Sequence, residues 1–250
     1  MNPKVFIINL EKSIERKEFM IQQFESLEKK VNYQFFPAIY GKENPNHPLF
    51  TKYNRQKRIE RKGNEMNLSQ LGCFASHYLL WEKCVELNTG IIILEDDAII
   101  HPNFTEAYNF ISSPQNIFEF FWLSPPAPIR RGQKGKTILN INNSNNVIAQ
   151  FYKGWGNATG YFISPHGAKK LLDYCQEWVY DADISMDRYW ENKLQYLAFT
   201  PACVEPDFSK ESNIPVDKGK TKRTMGVKIK RELYKLVDNI NKSIYDLSHK

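Results

Sequence analysis

The sequence predicts an α/β fold: a Rossmann-type mixed, mostly parallel sheet flanked by helices. Three observations carry this prediction. Residues 5–10 (VFIINL) and 91–94 (IIIL) are near-continuous apolar runs, the pattern of strands buried on both faces of a parallel sheet. Each run adjoins a segment of helical periodicity, residues 13–29 after the first and 68–87 before the second. A third apolar run at residues 33–39 turns the opening into a strand–helix–strand unit, the building block of parallel sheets. The chain has 250 residues, enough for one main domain with a substantial core.

Taken in order, residues 5–10 form the first strand. Ser13 is placed to cap a helix to about residue 29, with Ile14, Met20, Ile21, Phe24 and Leu27 largely on one face. Residues 33–39 give the second strand, closed by Tyr40-Gly41. Residues 43–64 are polar and basic and contain Pro45 and Pro48; they predict a long, functional loop. The helix over 68–87, with Ser69 near its start, stops at Asn88-Thr89-Gly90 and leads into the strand at 91–94. A short helix over 103–111 and a strand over 117–123 follow, then a loop over 124–146 with room for a small hairpin. Strands over 147–152 and 159–163 bracket Gly154-Trp155-Gly156. Ser164 as cap and Pro165 at the first position open a helix to about Cys175. Residues 183–193 predict a helix and 196–201 a last strand. The organisation expected is a main domain, residues 1–217, and a basic amphipathic tail, residues 218–250, without internal repeats.

The net charge of +6 is concentrated in residues 52–62 and 218–231. Such patches attract phosphate in nucleotides, nucleic acid or anionic lipid, or are simply solvated faces. No run approaches the roughly 20 apolar residues of a membrane-spanning helix. The opening MNPKVFIINLEKS has one Lys and a short apolar stretch, so it reads as a strand rather than a secretory signal. The 4 cysteines show no CxxC or zinc spacing. The expectation is a cytoplasmic protein with reduced thiols, in which Cys73 is a core residue rather than a nucleophile.

The chemistry concentrates at residues 91–97 (IIILEDD). Three adjacent carboxylates repel one another, and beside a buried strand little solvent is present to relieve them. A hard divalent cation, Mn²⁺ or Mg²⁺, supplies the compensation through oxygen ligands. Ligands also bind at the carboxyl ends of strands in open α/β sheets. Strand alternation sends Glu95 and Asp97 to one side and Asp96 to the other. Asp97, assisted by Glu95 or Asp96, is the expected metal ligand, neutralising a departing diphosphate. A solvated turn and the acidic sites of response-regulator-like and phosphatase-like proteins are the competing explanations.

The cluster stands in a longer succession. Asn9-Leu10, Arg16, Ala38, Gly41, Gly72-Cys73 and Ser76-His77 precede Leu94-Glu95-Asp96-Asp97; Gly160-Tyr161-Phe162-Ile163-Ser164 and Ala168-Lys169-Lys170-Leu171-Leu172 follow. Over roughly residues 4–205 this resembles glycosyltransferase family 25, which includes bacterial lipooligosaccharide galactosyltransferases and collagen-modifying relatives. The resemblance implies a GT-A-like fold, an inverting reaction and a UDP-sugar donor, usually UDP-galactose. It places Asn9, Leu10 and Arg16 at the nucleotide, where a strand-to-helix junction suits phosphate. It adds Ser76 and His77 to the donor site, His77 orienting a carboxylate or donating to phosphate. Family members commonly carry a single acid before the late helix; this chain offers Asp181, Asp183 and Asp187. By its offset from Asp187-Arg188-Tyr189-Trp190, Asp183 is the better match and the expected general base, with Asp181 second. Gly154-Trp155-Gly156-Asn157 is analogous to Trp/Gly-rich acceptor loops in other galactosyltransferases.

The tail combines basic residues with Val227, Ile229, Leu233, Leu236, Val237 and Ile240. A basic amphipathic helix suits either an anionic membrane surface, matching a lipid-linked oligosaccharide acceptor, or packing on the body. Nucleic acid is not an expected partner, because no recognition motif is present. A UDP-glucose-dependent transferase and a non-catalytic basic α/β binding protein remain the alternatives.

Overall fold

The computed structural model describes residues 3–209 and 224–249. Its framework is an eight-stranded sheet in the order β2 (Tyr33–Pro37), β1 (Lys4–Asn9), β3 (Ile91–Glu95), β8 (Gly160–Ile163), β5 (Phe120–Trp122), β9 (Leu197–Thr200), β7 (Val147–Gln150), β6 (Lys136–Asn140). β1 runs parallel to β2 and β3, and β5 parallel to β9; β8 and β7 run against their neighbours. Six strands therefore share one direction and two oppose it, the mixed, mostly parallel sheet that the apolar runs predict.

Alternation along the central strands divides the core in two. Phe6, Ile91 and Ile93 enter the layer under α3 (Leu68–Leu87) and α5 (Pro165–Tyr174). Val5, Ile7, Ile92 and Leu94 enter the opposite layer, with Met20 and Phe24 of α1 (Ile14–Glu25) and Phe104 of α4 (Phe104–Ser112). Burial on both faces is why these strands read as continuous apolar runs. Ser13 occupies the cap position of α1, though its side chain makes no capping bond, and Ile14 points to solvent.

Several local expectations are corrected. Residues 43–64 are not one loop: a short 3₁₀ turn (Pro48–Lys52) is followed by α2 (Arg55–Lys62). Asn54 caps α2 through the Lys57 amide, and Gly63 ends it at φ 77°, local signals strong enough to fold a polar segment. Ser69 is near the start of α3 as expected, and the cap itself is Asn67 in a capping box with Gln70. The helix expected over 183–193 is two, α6 (Ala182–Asp187) and α7 (Tyr189–Asn192), broken at Arg188. Residues 124–146 hold one strand rather than a hairpin of their own: β6 pairs with β7, the strand expected over 147–152. An unanticipated ribbon pairs β4 (Ala98–Ile100) with β10 (Val204–Pro206) just beyond the acidic turn.

The C-terminal α8 (Met225–Ser248) packs on the body by its polar and aromatic side. Asp238 pairs with Arg188 (2.7 and 2.5 Å), Asp246 accepts from the Tyr189 hydroxyl (2.7 Å), and Lys230 meets Glu60 (2.9 Å). Its apolar stripe of Ile229, Leu233, Leu236, Ile240 and Ile244 faces outward, each about half exposed. The boundary expected at residue 217 lies outside the described residues.

Candidate active site

The site forms where β1 and β3 end and α3 crosses them. One wall is the segment 38–41, laid backbone-to-backbone against α3. A Cβ on Gly72 would come within 2.3 Å of the Ile39 carbonyl oxygen, and one on Gly41 within 1.8 Å of the Leu68 oxygen. Glycine at both positions is thus a steric requirement. Ser76 fastens this contact: its hydroxyl donates to the Gly72 carbonyl (2.8 Å) and accepts from the Ile39 amide (2.9 Å). The resulting pocket is lined by Leu10, Arg16, Ser76, His77, Glu95, Asp96 and Asp97 among others. Seven side chains expected at the donor site are therefore brought together. Asn9 sits behind the pocket, buried, donating its amide to Asp96 Oδ2 (2.8 Å) and to the Ser13 carbonyl (3.2 Å).

The three strand-end acids are held differently. Glu95 continues the alternation of Ile91 and Ile93 and so turns toward α3, where its Oε1 is 3.6 Å from His77 Nε2. β3 ends there, so Asp96 and Asp97 lie in a turn that strand alternation does not govern. Arg16 reaches both, at 2.7 Å to Asp96 and 3.3 Å to Asp97. Its guanidinium is thus engaged with the acids rather than standing open at the nucleotide. Burial pushes the Asp97 carboxyl up to about 7, Glu95 adding to the effect and Arg16 opposing it. An acid so disfavoured as an anion gains from a divalent cation, and the oxygen donors of Glu95 and Asp97 suit Mn²⁺ or Mg²⁺. The residues present fit such an ion.

The α6 acids lie close enough to act on the same surroundings. Burial raises the Cys73 thiol well above its ordinary range, and Glu95, Asp183, Asp181 and Asp97 add to the rise. The two acidic groups therefore act on one point of α3, and Cys73 is a protonated thiol rather than a nucleophile. Asp181 is committed elsewhere: Arg58, itself fully buried, donates to Oδ2 (2.8 Å) and Gln70 to Oδ1 (2.7 Å). Asp187 is buried and accepts from the Trp155 and Gly156 amides (2.7 and 3.1 Å), from Tyr196 and from Arg130 (3.1 Å). Asp183 is different. It is half-buried, accepts from the Ile184 backbone, and has no ion pair among the described residues. Burial first, then the charges of Asp187 and Asp181, push its carboxyl up to about 7.

Asp187 holds the Gly154-Trp155-Gly156 turn through the Trp155 and Gly156 amides. The Trp155 ring is buried, lies parallel to Trp122 at 6.0 Å, and donates its indole N–H to the Ser124 carbonyl. Sequence reading missed the partners that build the site. Arg58 lay inside a segment read as loop, Tyr161 inside a strand block, and nothing in their spacing marks them.

The model of glycosyltransferase family 25 (LPS biosynthesis protein) matches residues 2–186. The chain belongs to this family. A family 25 member from Anopheles gambiae is 29% identical over 175 residues, covering 67% of this chain and 28% of that protein. Procollagen galactosyltransferase 1-A of Xenopus laevis is 26% identical, covering 68% of this chain and 28% of its own length. The lipooligosaccharide biosynthesis protein lex-1 of Haemophilus influenzae is 27% identical over 218 residues, covering 75% of this chain and 69% of lex-1. The chain thus spans little more than a quarter of the animal relatives. A crystal structure of an active-site mutant of LgtC aligns over 93% of this chain and 95% of its own, at 8% identity and a TM-score of 0.41. Among the described residues no helix is long and apolar enough to cross a membrane.

Proposed function

We propose that this chain is an inverting, GT-A-like glycosyltransferase that moves a hexose, foremost galactose from UDP-galactose, to a saccharide acceptor of lipooligosaccharide or lipopolysaccharide. The observation that carries the reading is Asp183, a half-buried carboxylate without an ion pair among the described residues and raised to about 7, sharing the surroundings of Cys73 with the strand-end acids. A base for an acceptor hydroxyl works best with a pKa near the working pH. Asp183 takes the hydroxyl proton as the acceptor oxygen bonds to the anomeric carbon, and the bond to the UDP oxygen breaks with its electron pair leaving on UDP. One in-line displacement inverts the configuration without a covalent nucleophile. Glu95 and Asp97 would hold Mn²⁺ or Mg²⁺, which supplies charge neutralisation to the diphosphate. Arg16 and Asn9 keep Asp96 in place beside them.

The acceptor is lipid-linked in this reading, and α8 is the surface that meets the anionic membrane on the cytoplasmic side. Its polar side is used up on the body while its apolar stripe faces outward, with Lys228 and Lys235 exposed beside it. Flotation with anionic liposomes should carry the parent protein and leave Leu233→Gln/Ile240→Gln behind; equal flotation removes α8 from this role.

The deciding assay is UDP release from a panel of UDP-sugars, with and without Mn²⁺, on a lactose- or glucose-terminated acceptor. Metal-stimulated turnover of UDP-galactose is expected; turnover of UDP-glucose instead assigns a glucosyltransferase. The Asp97→Ala protein should lose Mn²⁺-dependent UDP affinity, and calorimetry showing unchanged metal-assisted binding overturns the metal assignment.

A further inference from the structure

His77 lies in the third turn of α3, fully buried, with Trp81 one turn further along. Both reach the Tyr161 hydroxyl from the central strand β8: Trp81 Nε1 at 2.9 Å and His77 Nδ1 at 2.9 Å. An indole N–H can only donate, so the Tyr161 oxygen accepts from Trp81. Tyr161 is itself fully buried, and its own proton needs an acceptor. Of its two partners, only His77 Nδ1 can accept. The opposite tautomer would strand the phenolic proton in a dry core, a loss of about 1–3 kcal/mol.

The ring proton of His77 is thereby assigned to Nε2. That atom is buried and has no hydrogen-bond partner among the described residues. The facing atom is Glu95 Oε1 at 3.6 Å, beyond hydrogen-bond length. Glu95 is about 29% exposed where His77 is sealed, so the carboxylate is the side chain that can move. A modest swing brings Glu95 onto a fixed N–H.

We propose that Trp81, Tyr161 and His77 form a one-directional hydrogen-bond relay that fixes His77 as an Nε2–H donor and makes it the positioning residue for Glu95. The inference rests on the donor-site reading for what Glu95 does, but the relay is a property of the chain alone. Second-sphere hydrogen bonds of this kind orient ligand carboxylates and tune the affinity of the ion they hold. Cys73, His77 and Glu95 also place three donor atoms within 4.8 Å of one another. A soft metal there needs a lone pair at Nε2, where the relay puts a proton, so the two arrangements exclude each other.

The test begins on the full chain without donor or metal. Long-range ¹H–¹⁵N spectra of histidine-labelled protein, with His77 assigned by its loss in His77→Gln, should show the Nε2–H tautomer. Tyr161→Phe, which keeps the ring and removes the hydroxyl, should abolish that preference. The Nδ1–H tautomer in the parent overturns the relay. So does a thiolate-to-Co²⁺ absorption band that disappears in Cys73→Ser, because it installs the metal site instead. For the positioning role, His77→Leu should weaken Mn²⁺-assisted UDP binding about tenfold, while His77→Gln, which retains an N–H, stays within about threefold; tenfold is about 1.4 kcal/mol. Equal losses in both variants overturn the positioning role. A parent protein that binds no UDP defeats the donor-site reading, and the tautomer result still judges the relay.

Discussion

Glu95, Asp96 and Asp97 at the end of β3 and Asp181, Asp183 and Asp187 on and before α6 carry the same functional group in equal number, yet they are compensated in opposite ways. At the strand end one guanidinium, Arg16, is shared between Asp96 and Asp97, and the whole turn stays short of positive charge. On α6 each structural acid has its own partners: Arg58 and Gln70 for Asp181, two backbone amides, Tyr196 and Arg130 for Asp187. Asp183 is left over. Shared, incomplete compensation suits a cation; on α6 the partners go to two acids, and burial, with the charges of those two beside it, raises the third's affinity for a proton. The first arrangement suits holding a diphosphate through a metal, the second suits taking a proton.

The sharpest way to break this contrast is Asp183→Asn. Turnover should fall about a thousandfold, within the range of general-base contributions, while UDP affinity stays within about twofold. Near-parental turnover removes Asp183 from the role. Next in size is Asp181→Ala, which leaves the buried Arg58 unpaired; urea denaturation should show a loss of about 3 kcal/mol. A protein as stable as the parent would mean that Asp181 is not structural. Third is the pH profile. A base raised to about 7 must be deprotonated to act, so kcat/KM should fall about tenfold per unit below that point. A profile flat down to pH 5 contradicts it.

The smallest effect concerns stability and has the opposite sign from activity. The folded Asp183 carboxyl holds its proton more tightly than its ordinary value of 3.8 allows. Folding therefore favours the protonated form, and its contribution to stability declines as pH rises from about 4 through about 7. Asp183→Asn escapes that decline. The variant should melt a few °C above the parent, roughly 1 kcal/mol, at pH 8, and the difference should vanish near pH 4. A variant less stable than the parent at pH 8 would show that Asp183 is held by something beyond its Ile184 contact.

The sequence by itself determined the sheet's central strands and the place of the acidic turn. Apolar runs at residues 5–10 and 91–94 can be satisfied only by burial on both faces, and α3 was delimited by periodicity and the Asn88-Thr89-Gly90 stop. The motif succession from Asn9 to Leu172 was enough to place the family. It could not separate Asp183 from Asp181 and Asp187, because most of the groups that occupy the latter two come from α2, from α3 and from residues 130–156, all distant in the chain. Nor could it show that Asp96 and Asp97 leave the strand, or that α8 meets the body through Asp238 and Asp246 and leaves its apolar stripe exposed. Those were decided by the tertiary structure, since a carboxylate's charge, partners and proton affinity are set by what long-range packing brings beside it, and local spacing carries no record of that.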